Sequence, residues 1–344
     1  MSYYSGCDAH KSMSVFVEID DDGCIEGPTK VKHETGELEE HLAELPEGTP
    51  VAFETVGNGY WLADLIEEAG HIPRMTHTRK AKVMMGNTNK TDKLDAQGLA
   101  MLQKAGTLPE VWIPPRELRD QREALRFRVK LGQSRIRWKN RIQALLSQYR
   151  IQVTEVTDTF GKTGRKLLNE RLETLPEQTR GSVKRQLDML DHIDQAIDET
   201  EAQLDEVLDE SEEREWVRTI PGIGDVISAI VLLEVGDIER FAGPGNLASY
   251  AGTTPREHSS AGRQHYGSVR KDVNQTLKWA MFQAANAVVR HKENRKDSRL
   301  VKKYHRVSEK AGSASAKGAV ARMIAESVYW VLTKEEPYKE PNSG

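Results

Sequence analysis

Asp92 and Asp95, in NKTDKLDAQGLAM, lie three residues apart on one short predicted helix, so their carboxylates meet on one helical face. Like charges at that spacing repel and aspartate is a poor helix former, a conflict that a divalent cation would relieve. Asp8 ends a first strand inside the small, uncharged run SGCDAH, and Glu54 ends a later strand in VAFET, before a Gly-containing turn. Strand-end acids of an open sheet lie at the edge where ligands bind. A following helix can carry Asp92 and Asp95 to that edge. The four acids together would make a hard oxygen donor set for Mg2+ or Mn2+, which activates a nucleophile toward phosphate. For each acid alone, a turn, a cap or a solvated face is the plain alternative.

A second cluster, TPREHSSAGRQHYGSVRK, sets Ser259 and Ser260 among Arg256, His258, Arg263 and His265, with Arg270 and Lys271 close behind. A serine needs a base or a metal to attack phosphorus, and nearby cations would stabilise the charged transition state. The alternative is a flexible loop. TIPGIG, at 219–224, is a tight turn of the helix-hairpin-helix kind, whose backbone N–H groups approach a phosphate, unless it is only a packing turn.

The elements that must position these residues read as follows. YYSGCDA, MSVFVEID, KVKHE, TPVAFET and HIPRMTHT are strands, and ELEEHLAEL, GYWLADLIEEAG and KTDKLDAQGLAMLQKAG are helices, which together describe a mixed sheet covered by helices over 1–110. WIPP breaks the chain. Over 111–215 two long amphipathic helices follow. One carries Leu118, Leu125, Val129, Leu131, Ile136, Ile142 and Leu145; the other carries Leu187, Leu190, Ile193, Ile197, Leu204 and Val207 on a narrow stripe. Their pattern predicts an antiparallel coiled-coil arm. Residues 216–335 form a mainly helical domain in which the serine segment is a loop, and 336–344 a frayed tail.

Charge is unevenly spread. The net charge is -4, yet Trp112 to Arg150 holds eleven basic against three acidic residues, and Pro255 to Lys310 holds fourteen against five. Between them, Ile151 to Glu215 holds eight basic against eighteen acidic. Two basic islands suit nucleic-acid backbones, with Arg126, Arg128, Lys130, Arg135, Arg137, Lys139 and Arg141 in the first and Arg256, Arg263, Arg270 and Lys271 in the second. No apolar run is long enough for a membrane span and the N-terminus lacks a signal pattern, so a cytoplasmic, nucleoid-associated protein is expected. Two cysteines, Cys7 and Cys24, fit a reducing compartment.

Taken in order, GCDAHK, FETVGNGYW, KTDKLDA, IPGIG, LASYAGTTP and HSSAGR resemble the motifs of the DEDD transposases of insertion sequences, the Piv-like recombinases guided by a bridge RNA. The resemblance spans essentially the whole chain. It implies an α/β nuclease-like domain of the RNase H/RuvC kind, a helical arm and a C-terminal transposase domain. Asp8, Glu54, Asp92 and Asp95 would be a metal-binding tetrad, and Ser260 the nucleophile that forms a covalent phosphoserine with DNA. The family usually has Ser-Gly at that point; here Ala261 intervenes before Gly262, which leaves Ser259 as the alternative. Donor and target DNA, a guide RNA, and a homodimer or homotetramer are the implied partners. A junction nuclease of the same fold using water, and a non-catalytic nucleic-acid-binding scaffold, remain open at this point.

Overall fold

The short runs YYSGCDA and MSVFVEID build β1 (Tyr3–Ala9) and β2 (Met13–Asp20), buried along most of their length, antiparallel and closed by a turn in which His10 N donates to Met13 O at 2.9 Å. The computed structural model describes residues 3–340 except 35, 56, 58, 87–90, 209–210, 261–262 and 270–271, and only the backbone within the strands at 256–266 and 268. β3 (Ile25–Lys32) pairs antiparallel with β2 at the sheet edge. After α1 (Glu37–Glu44), β4 (Pro50–Glu54) runs parallel to β1; after α2 (Gly59–Glu68), β5 (Ile72–Thr76) runs parallel to β4. The five-stranded sheet has the order β3-β2-β1-β4-β5, and α3 (Thr78–Met85) and α4 (Asp92–Lys104) complete this RNase H-like region.

Two elements depart from the sequence pattern. The third strand begins five residues before KVKHE and ends within it, because Gly27, at φ +95°, and Pro28 are tolerated on an edge strand, where one side of the ladder goes unused. α3 has no counterpart in the periodicity, since TRKAKVMM buries only Ala81.

The sheet has two unlike faces. Cys7, Phe16 and Phe53 pack with Leu38 and Leu42 of α1 and with Leu62, Ala63 and Ile66 of α2. On the other face Ala52 packs with Ala81 of α3 and Leu99 of α4. There α4 rides directly on β1: a Cβ at Gly6 would stand 2.0 Å from Ala96 O and 2.7 Å from Ala100 N, so only glycine fits.

The chain divides into two compact units, Met1–Pro114 and Pro115–Gly344. In the second, α5 (Arg116–Gln148) and α7 (Glu177–Leu208) pair antiparallel. Leu125 and Val129 share a core with Leu204 and Leu208, whereas Ile142 and Leu146 share another with Val183 and Leu187. α6 (Lys162–Leu172) joins the latter through Leu168 and Leu172. Ile136 and Val207, expected on the apolar stripes, are exposed, and Leu146 and Leu208 are buried. A one-residue step turns a helical side chain by about 100°, enough to exchange inside for outside.

The arm's base shares its core with α8 (Glu212–Arg218), α9 (Asp225–Val235), α10 (Pro244–Tyr250), α11 (Gln275–Arg290) and α12 (Arg299–Lys334, interrupted at Gly312). The helix-hairpin-helix-like turn lies between α8 and α9. Gly222, at φ +92°, seats it against α11, since a Cβ there would meet Ala284 O at 2.4 Å. β6 (Pro255–Ser260) and β7 (Arg263–Val269) form an antiparallel hairpin where a loop was expected, because polar residues on both faces leave no alternation to read. Nor is the tail frayed throughout: Tyr338 N donates to Thr219 Oγ1 at 2.7 Å and Ser298 Oγ to Glu340 Oε1 at 2.7 Å. Among the described residues no helix is long and apolar enough to cross a membrane.

Candidate active site

β1 and β4 run parallel with Cys7 opposite Phe53, so the next residue on each strand, Asp8 and Glu54, is an acid at the same strand end. Side chains alternate along a strand. Cys7 and Phe53 face α1 and α2, and Asp8 and Glu54 therefore face the other way with Gly6 and Ala52, onto the side covered by α4. Thr91 caps α4, its hydroxyl accepting from Leu94 N at 3.3 Å, which puts Asp92 and Asp95 in the first turn, where a helix N-terminus favours negative charge.

His10 Nε2 lies 3.4 Å from Asp8 Oδ2 and 3.4 Å from Asp92 Oδ2. One donor atom from each of these three residues falls within 4.8 Å of the others. Asp95 is buried at 9% exposure, and the Glu54 side chain is 12% exposed with Lys82 Nζ 3.8 Å from its Oε2. Burial pushes the Glu54 carboxyl above its ordinary value; the charges of Asp8 and Asp95 act in the same direction, against the pull of Lys82 and a hydrogen bond from Thr78. Glu54 Oε1 is buried with no hydrogen-bond partner among the described residues. An orphaned carboxylate oxygen beside other carboxylates fits a hard divalent cation. Asp8 and Asp92 thus share one cluster, and Glu54 is close enough to Asp8 and Asp95 to feel their charge.

Sequence reasoning passed over His10, Lys82 and Thr78. His10 had a signal, an imidazole two residues after a strand-end aspartate. Lys82 and Thr78 had none, because α3 is silent in the pattern.

Ser260 is the last residue of β6, paired with Arg263 across the hairpin tip, and Ser259 pairs with Gln264. The side chains of Ser259, Ser260, Arg256 and Arg263 lie outside the described residues, as do Arg270 and Lys271 entirely. Hydrogen bonds converge at the hairpin's base. Asn274 N donates to Tyr250 O at 3.1 Å, and Asn274 Nδ2 donates to Tyr250 Oη at 3.0 Å and to Glu234 Oε2 at 2.7 Å. Glu234 is fully buried and accepts a fork from Arg126 at 2.7 and 2.8 Å, with Arg122 Nε 3.9 Å away. Burial alone would raise the Glu234 carboxyl, but the hydrogen bonds from Arg126 and Asn274 and the charges of Arg126 and Arg122 hold it below its ordinary value.

Three of the arginines expected to meet nucleic acid have acidic partners within the chain: Arg126 pairs with Glu234, Arg128 with Glu201, and Arg135 with Asp194 at 2.6 Å, the last two as partly exposed pairs. Lys130, Arg137 and Arg141 are exposed, and Lys139 lies 5.2 Å over the Phe160 ring.

Comparison with known proteins is consistent along the chain. The DEDD transposase family of IS110 elements matches residues 5–151, and the family described as transposase IS116/IS110/IS902 matches residues 214–300. The chain is 27% identical over 259 residues to the transposase for insertion sequence element IS1111A of Coxiella burnetii, across 73% of this chain and 69% of that protein. It is 23% identical over 308 residues to the transposase for insertion sequence element IS1328 of Yersinia enterocolitica, across 87% of each. A shorter match, 36% identical over 87 residues, joins it to an IS110 uncharacterized 43.6 kDa protein of Streptomyces coelicolor, across 25% of this chain and 22% of that one. The first family match contains all four acids, and the second contains Glu234 and the serine hairpin.

Proposed function

The chain belongs to the IS116/IS110/IS902 family of transposases, enzymes that cut and join DNA strands to move insertion sequences, and on that premise we propose that it works through an acidic tetrad and a serine nucleophile, directed by a bridge RNA. Membership in a catalytic family sets aside the non-catalytic scaffold.

Asp8, Glu54, Asp92 and Asp95 would hold a divalent cation, Mg2+ or Mn2+, which when bound polarises a phosphate oxygen and offsets its charge. Ser260 is the nucleophile, with Ser259 beside it as the alternative. Its Oγ bonds to phosphorus as one P–O bond of the DNA breaks; the departing DNA oxygen takes up a proton, the serine gives one up, and the strand stays attached as a phosphoserine. A hydroxyl of a different strand then attacks that phosphorus and releases the serine. Phosphodiester bonds are exchanged one for one, so joining needs no outside energy source. Arg256, Arg263, Arg270 and Lys271, which flank Ser260 in sequence, would balance charge on the phosphate. Lys130, Arg137, Lys139 and Arg141 of the arm would hold an RNA or DNA backbone, while base pairing with the RNA selects donor and target DNA. A homodimer or homotetramer lets acids and serine come from different copies.

The observation that carries the reading is the register of β1 and β4, which aligns Asp8 with Glu54 on the side of the sheet where α4 begins with Asp92 and Asp95. The test combines the protein with RNA transcribed from the non-coding DNA flanking its element, and with donor and target duplexes. Asp8→Asn and Asp92→Asn should abolish cleavage, and Ser260→Ala should abolish the trapped DNA adduct and strand joining. Cleavage that survives loss of both serines would return the water-using nuclease. Full activity in Asp8→Asn would remove the tetrad.

A further inference from the structure

We propose that His10 Nε2 is a direct donor to the cation held by the acidic cluster, which makes the centre a mixed nitrogen–oxygen site that favours Mn2+ over Mg2+. The proposal rests on the tetrad reading above and extends it to a side chain outside the four acids.

The distances are those of ligands that share one ion. An imidazolium hydrogen-bonded to a carboxylate sits about 2.7–2.9 Å from its oxygen. Adjacent donors on one ion, each about 2.1 Å from it, sit about 3.0–3.4 Å from one another. His10 Nε2 is 3.4 Å from an oxygen of Asp8 and 3.4 Å from an oxygen of Asp92, the spacing of co-ligands around a shared centre on both sides.

Position agrees with distance. His10 follows the last residue of β1, and its backbone N–H is fixed by Met13 O in the β1–β2 turn, so the ring stands at the strand end that bears Asp8. The turn holds the histidine to one acid, and the seating of α4 on Gly6 brings it the other. The side chains of His10 and Asp92 are 44% and 49% exposed, which leaves the centre open to water and to a phosphate oxygen. The donor set then decides the metal. Carboxylates alone suit Mg2+, Ca2+ and Mn2+, whereas an imidazole nitrogen adds affinity for transition ions and little for Mg2+.

The test needs neither DNA nor RNA. Full-length wild type, His10→Ala, His10→Gln and Asp8→Asn are titrated with Mn2+ and separately with Mg2+ by calorimetry, with circular dichroism as a check on folding. His10→Ala should weaken Mn2+ binding by about tenfold or more and Mg2+ binding by less than about twofold. Wild type loaded with Mn2+ should show nitrogen hyperfine coupling in pulsed electron paramagnetic resonance, altered by 15N-histidine labelling and lost in His10→Ala. Absence of nitrogen coupling in the wild type, or equal losses for both metals, overturns the proposal. The labelled wild type decides the matter even if a variant fails to fold. Should Asp8→Asn abolish binding while His10→Ala leaves it intact, the tetrad stands and only the histidine ligand falls. Should Asp8→Asn bind both metals normally, the tetrad itself fails.

Discussion

Glu234→Ala tests whether the clasp beneath the serine hairpin holds the second unit together. The carboxylate is fully buried and takes a two-pronged hydrogen bond from Arg126 and a third bond from Asn274 at 2.7 Å. Its loss takes the nearby carboxylate from Arg122, whose side chain is 5% exposed and keeps its hydrogen bonds to the Leu233 and Glu234 carbonyls, and from a half-exposed Arg126. Breaking a buried pair from one side costs about 3–5 kcal/mol, because a charge is left without a partner. In a unit of this size each kcal/mol lowers the thermal midpoint by about 2–4 °C, so the midpoint should fall by about 6–20 °C. Glu234→Gln keeps the shape and loses the charge, and should fall part of the way. The double change Glu234→Leu with Arg126→Met should recover only part of the loss, since Arg122 still lacks its acid. The pH dependence has a definite sign. Glu234 is held below its unfolded value, so its contribution is present above the unfolded value of about 4.3 and is lost as pH falls through the folded one. The gap between wild type and Glu234→Gln should therefore close below about pH 4. Thermal unfolding followed by circular dichroism from pH 3 to 8 measures all of this. A Glu234→Ala midpoint within about 2 °C of wild type at neutral pH would refute the reasoning.

Gly6→Ala should lift α4, because its Cβ would stand 2.0 Å from Ala96 O; we expect a loss of about 1–3 kcal/mol or more in thermal unfolding, together with weaker Mn2+ binding. Unchanged melting and binding would mean that α4 is not seated on β1. Arg137→Ala and Arg141→Ala should each lower the slope of log affinity against log salt for RNA by about 1. Arg128→Ala and Arg135→Ala should leave that slope alone and cost less than about 1 kcal/mol each as partly exposed ion pairs, and equal effects from all four in filter-binding titrations would contradict the assignment of partners. Glu54→Gln should stabilise the first unit in EDTA at neutral pH, because burial and the charges of Asp8 and Asp95 disfavour the ionised form, while cation binding weakens. A lower melting point in EDTA would argue against that conflict.

What could be read in the sequence follows the range over which each feature is encoded. The Asp92–Asp95 pair is a property of one helical turn, so its spacing is visible without the fold. Asp8 and Glu54 are visible as acids at strand ends, but their alignment depends on Cys7 lying opposite Phe53, a register between strands that no local pattern carries. The first part of the edge strand, around Pro28, and the polar hairpin of β6 and β7 escaped because neither shows alternation.

Charge misled for a related reason. Arg128 and Glu201 are 73 positions apart, so a local count sees a basic island and an acidic one where the fold makes partners of them, and Arg126 pairs with Glu234, 108 positions on and beyond the acidic island. A net count along the chain is therefore an upper bound on the charge a nucleic acid can use. Of the seven α5 residues expected to contact nucleic acid, subtracting the arginines already paired leaves Lys130, Arg137 and Arg141 exposed. Their spacing of seven and then four residues places them on one face of that helix. At 1.5 Å of rise per residue such a stripe extends about 16 Å, and it would follow several phosphates of one strand. Three charges on one helical face make a narrower claim than eleven in a segment, and a salt titration of single substitutions can count them.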